Sequence, residues 1–230
     1  MVPAVSRPTR NSVSKGAPNL VRKLAISALI LLAAGGCSRT GEITDGGITS
    51  LRSACPRVGV PAGTGDITQF DPPASREAAA IDVVATLTNV TSTCDEAGPE
   101  IVTTVNFDVL ATRRDAAGAR DVSLPYFITV VRGGTNVVAK SVNRVTVHFE
   151  AGQTRASTKG VATSRVAHAA ATIPEDVRKR LTEKRKAGEE AAAMDPLADP
   201  AVRGAVLSAT FEALVGFQLT EDQLKYNMTR

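Results

Sequence analysis

The chain of 230 residues contains no tryptophan, two tyrosines and six phenylalanines. Its core must therefore be built from valine, alanine, threonine and leucine, and β-branched side chains of this kind suit the space between packed sheets. Histidine is just as scarce, with only His148 and His168 present. Also missing are GxSxG, HExxH, CxxC, the P-loop and GxGxxG, so the common hydrolase, zinc-protease, thiol-redox and nucleotide-binding signatures are excluded. Gly133-Gly134 precedes neither a helix pattern nor a Lys-Ser/Thr pair, and it reads as a hairpin turn rather than a phosphate cradle. Acidic residues are absent before Glu42.

What is present begins with an apolar run that stops at a cysteine. Leu24 to Gly36 reads LAISALILLAAGG, Cys37 follows, and Arg7, Arg10, Lys15, Arg22 and Lys23 lie upstream. A basic n-region, an apolar h-region and a small-residue exit make a secretory signal. The run is shorter than the roughly 20 residues that span a bilayer. Small residues directly before a cysteine resemble the lipobox of bacterial lipoproteins. That resemblance implies lipidation of Cys37, which becomes the mature N-terminus. The family usually carries leucine three residues before the cysteine; here Ala34 stands there, with Leu31 and Leu32 further back. Ser38, rather than aspartate, follows the cysteine, which by the same resemblance points to the periplasmic face of the outer membrane.

The signal holds five of the 27 basic side chains, and its removal leaves 22 against 23 acidic ones. The remaining chain is near neutral, so the basic isoelectric point gives no electrostatic footprint for nucleic acid. Residues 37–230 suit one domain. Two cysteines remain besides Cys37, namely Cys55 and Cys94. In the oxidising periplasm an even pair implies one disulfide, closing a loop that contributes about 3–4 kcal/mol in the chain-entropy picture.

Residues 37–54 are rich in Gly, Thr and Ser and read as a flexible tether. Segments of β type follow at 57–61, 66–70, 79–93, 101–113, 122–132 and 137–150, separated by Gly, Pro and Asp turns, with a weaker one near 160–170. Within 79–93, Ile81, Val83, Ala85, Leu87 and Asn89 fall on one face, and Val105, Phe107 and Val109 fall on the inner face of the next strand. Thr172-Ile173-Pro174-Glu175 reads as a capping box opening a charged helix, which Asp195-Pro196 and Asp199-Pro200 close. Strand character returns over Val202–Leu219, and Thr220-Glu221-Asp222-Gln223 caps a terminal helix. About seven strands predict a mainly β chain: an antiparallel β-sandwich of immunoglobulin or fibronectin-III kind over 55–230, with a helical insertion at 172–200. A small barrel is the alternative.

Strand periodicity puts Thr146, His148 and Glu150 on one face of 137–150, opposite Val145, Val147 and Phe149. His148 and Glu150 form a weak candidate metal pair, since a catalytic zinc usually takes three protein ligands. No catalytic residue and no cofactor are expected. The signal, the cysteine and the single β domain together resemble small proteobacterial envelope lipoproteins. The closing stretch VGFQLTEDQLKYN (Val215 to Asn227) is similar to the C-terminal signature of one uncharacterised family of that kind. The resemblance implies an envelope location and transfers no site residues. Two functions follow as expectations: a membrane-anchored module that binds or scaffolds an envelope protein through strand edges or the 172–200 insertion, or a periplasmic enzyme or metal carrier using His148 and Glu150. Metabolic labelling with a palmitate analogue should mark the wild-type protein and not the Cys37→Ala variant; equal labelling of both rules out Cys37 as the attachment site.

Overall fold

The structure is a computed structural model, and it describes residues 53–183 and 194–229. The signal, Cys37, nearly all of the tether and the centre of the charged stretch lie outside the described residues. The chain is mainly β, with eight strands among the described residues: β1 (Arg57–Gly59), β2 (Asp66–Phe70), β3 (Ile81–Asp95), β4 (Glu100–Arg113), β5 (Arg120–Arg132), β6 (Asn136–Phe149), β7 (Arg155–Ala167) and β8 (Phe211–Phe217). They form two four-stranded sheets, β1-β8-β5-β6 and β2-β3-β4-β7. Every pairing is antiparallel except β1 with β8.

The alternation read from the sequence sets the inner faces. Val83, Ala85 and Leu87 of β3 and Val105, Phe107 and Val109 of β4 are buried. They share one core with Leu124, Tyr126 and Ile128 of β5, Val145, Val147 and Phe149 of β6, and Val215 and Phe217 of β8. Each such side chain removed from water is worth about 1.5–3 kcal/mol. Asn89, read as continuing the inner face, instead sits in a bulge between Thr88 and Thr91 with φ 50°. Its short amide tolerates that backbone and donates to Asp108 Oδ2 at 2.9 Å. The outer face of the second sheet carries a polar row, with Thr93, Thr104 and Thr163 aligned across β3, β4 and β7, a cross-strand set that stabilises a solvent-facing sheet.

One packing node ties the sheets together. The Phe107 ring lies against the Cα of Gly160, where an added Cβ would come within 2.2 Å of it. Tyr126 meets Phe107 edge-to-face at 5.1 Å, and its hydroxyl donates to Val161 O at 2.7 Å. At one end, the buried Arg113 guanidinium donates to Gln153 O (2.8 Å) and Glu150 O (2.9 Å) and stacks over Phe149. Arg120 of β5 also clamps Asp82 of β3 through two hydrogen bonds of 2.8 and 2.6 Å. That clamp holds the Asp82 carboxyl below its ordinary range, so its contribution is present at neutral pH and is lost on acidification through that lowered value. The cysteines are joined as expected, with Cα atoms 6.1 Å apart, tying the start of the domain to the exposed end of β3.

The segment between β7 and β8 departs from the sequence reading. Its helices are α1 (His168–Ala171), α2 (Glu175–Thr182) and α3 (Pro200–Ser208), with α4 (Glu221–Thr229) at the C-terminus. Val202 opens no strand: it belongs to α3, because Asp199 accepts from Ala201 N and Pro200 occupies the first helical position, a helix-start arrangement. Asp195-Pro196 likewise opens a short 3₁₀ turn. Thr172 is no cap for α2; Pro174 holds that position, and the Thr172 hydroxyl donates to His168 O at 2.8 Å. Val177, Val202 and Val206 form a small core joined by Ile173, Leu181 and Ala205. The second capping box forms as read: Gln223 N donates to Thr220 Oγ1 (3.2 Å) and Thr220 N to Gln223 Oε1 (2.9 Å).

Gly160→Ala should lower stability by about 1–3 kcal/mol, the usual cost of overpacking a filled core, read as a drop in melting temperature by circular dichroism. An unchanged midpoint would contradict the close approach of Phe107 to this backbone.

Candidate functional site

Three features carry chemistry or an open surface. The first is His148. Its side chain leaves the outer face of β6, while Val147 and Phe149 point into the core. Cross-strand pairing puts Asp121 of β5 directly opposite it. Its Nδ1 lies 2.6 Å from Asp121 Oδ1, and its Nε2 lies 3.4 Å from Glu150 Oε1. The hydrogen bond that the ring donates to Asp121, then the Asp121 and Glu150 charges, push the imidazole pKa above its ordinary value. Both ring nitrogens thus face carboxylates, which favour the protonated ring. Among the described residues, no group of three or more His, Cys, Asp or Glu side chains is placed to hold a metal ion. His168 starts α1 far along the chain, its backbone N–H donating to Pro99 O at 2.9 Å.

The second feature is a concavity of about 750 Å³ between β2, the loop after it and the start of α4. Phe70, Arg76, Asp82, Arg120 and Asp222 line it. Its arginines are already engaged: Arg120 by Asp82, and Arg76 by Asp222 at 3.5 Å and by the Phe70 ring at 5.2 Å. Gln223 and Asn227 of α4 bond backbone carbonyls of Thr68, Gly63 and Asp66. These contacts dock α4 onto β2 beside the concavity.

The third feature is the first half of β6. Among the described residues β6 is terminal in the sheet order and pairs with β5 alone. Asn136 to Arg144 are exposed without interruption, on both faces, whereas burial alternates normally from Val145. Val137, Val138 and Val142 are 59, 48 and 52 % exposed. The inward row of this half, Ala139, Ser141 and Asn143, lies opposite Val130, Ile128 and Tyr126 of β5. These three small or polar side chains are exposed, unlike the valines and phenylalanine further along the strand.

Cys37 lies outside the described residues, and Cys55 and Cys94 form the disulfide. Only part of the 172–200 insertion is described, and its helices pack on each other through Val177 and Val202. Among the described residues, no helix is long and apolar enough to cross a membrane. Comparison with protein-family models, curated proteins and solved structures finds no match.

By NMR titration His148 should stay protonated to higher pH than a free histidine, and Asp121→Asn should bring its midpoint back toward the ordinary value. A midpoint indifferent to that substitution would break the assigned pairing.

Proposed function

We propose that this chain is a lipid-anchored envelope protein, held by Cys37 at the periplasmic face of the outer membrane, whose β domain binds another envelope protein and carries out no catalysis. The domain is read as an immunoglobulin- or fibronectin-III-like sandwich, a scaffold on which edges and loops commonly carry recognition. The observation that supports binding is the first half of β6: nine consecutive residues exposed on both faces at the end of a sheet, three of them valines. Clustered apolar surface beside an unpaired strand edge is costly to leave in water and is usually managed by a partner or by protective charges.

The test is co-purification from detergent-solubilised membranes with the full chain as bait. Val137→Lys/Val142→Lys should reduce recovery of specific partners at least ten-fold. Leu110→Lys, at an equally exposed position (52 %) on the outer face of β4, should leave recovery unchanged. Equal recovery with all three baits would remove β6 as the binding surface.

A further inference from the structure

Resting on that reading of β6, we propose that residues 136–144 accept an extended, acidic segment of a partner protein as an added strand. Three observations lead to this class of ligand. Among the described residues the edge is free: β5 occupies only one side of β6, and an unpaired edge offers a row of N–H and C=O groups for main-chain pairing. The available stretch is long enough, since nine residues span about 30 Å at the usual strand rise. Its charge has one sign. Lys140 and Arg144 are the charged residues of 136–144, and among the described residues neither forms an ion pair with a carboxylate.

The two cations share a face. Lys140 lies opposite Thr129 and Arg144 opposite Pro125, with Val142 between them opposite Phe127. Lys140 Nζ sits 4.9 Å from the Phe127 ring centroid, which holds the ammonium close to the strand instead of letting it range through solvent. A strand added here meets cation, valine and cation at two-residue spacing. It is matched by a segment with Glu or Asp on that face, because opposite charges directly across strands stabilise pairing. The acidic side chains of the hairpin, Asp121 and Glu150, lie at its far end around His148 and do not compete for this half.

A second copy of the same strand fits poorly. The antiparallel register that pairs all nine residues of two copies sets Lys140 against Lys140, and the register centred on Val142 sets Lys140 against Arg144. Like charges directly opposite are destabilising, and edge lysines are a known guard against self-pairing. The charge that discourages self-association is therefore the charge that selects an acidic partner.

The probes are two fluorescein-labelled heptapeptides, one alternating valine with glutamate and the other valine with lysine, titrated by anisotropy into the full chain in detergent. The glutamate peptide should bind at least ten-fold more tightly, and its affinity should fall as salt rises. Lys140→Glu/Arg144→Glu, at exposed positions, should keep the melting temperature and reverse the preference between peptides. Equal binding of both peptides, or no reversal, overturns the proposal. So does sedimentation showing dimers that the double variant abolishes, since the occupant is then a second copy. If the peptides show no preference while Val137→Lys/Val142→Lys still depletes the envelope partner, β6 remains a binding edge and only the acidic chemistry falls. If neither experiment responds, the β6 reading falls as well.

Discussion

The contact of Phe107 with Gly160 is the constraint around which the two sheets are arranged. With no tryptophan and few other aromatics, the core has small side chains, and small side chains fill space only if the backbones come close. A missing Cβ on β7 lets the far end of the β4 phenylalanine ring close against it. Tyr126 of β5 then closes the node, touching Phe107 with its ring and Val161 O with its hydroxyl. Three strands from two sheets thus meet at one place, and the inner valines of β3, β4 and β8 pack outward from it. Interiors are packed at near-crystalline density, so such a node also fixes how far the sheets can slide.

Much of this architecture is legible in the sequence. Period-two alternation is strong in β3 up to Leu87, in β4 and in the second half of β6, and burial follows it there. The disulfide joins the two cysteines, Cys55 and Cys94, that an even count beside Cys37 singles out. The region after β7 is harder to read because it mixes signals. Val202, Val206 and Leu207 look like strand residues, but Asp199-Pro200 starts a helix and the i, i+4 valines face a helical core. Asp-Pro stops one element and starts the next, and the sequence pattern alone does not decide which role wins.

Around His148 the Glu150 neighbour is legible from strand periodicity, whereas Asp121 is not, for a sharper reason. The hairpin turn pairs Arg132 with Asn136 and Val131 with Val137. Carried to the far end without interruption, that register would oppose His148 to Arg120. One extra residue, Val138, sits in a bulge between the pairs Val131–Val137 and Val130–Ala139. The bulge shifts every later pair by one residue and brings Asp121 opposite His148 instead. A single inserted position thus converts a like-charge juxtaposition into an ion pair ten residues away along the hairpin. Bulges re-aim side chains in this way, and no composition or periodicity rule reveals one in advance.

The bulge also marks the part of β6 where the strand is no longer covered. Beyond Val145 the inner face is sealed by valine and phenylalanine; before it the strand is backed by β5 alone and exposed on both sides. A binding edge of this kind requires two regimes of protection within one strand. Native-state hydrogen exchange on β6 of the full chain measures this directly. Amides of residues 136–144 should exchange as a group faster than those of 145–149, which are anchored by the shared core. Equal protection along the whole strand would mean that the edge is already covered, and would contradict its role as an open docking surface.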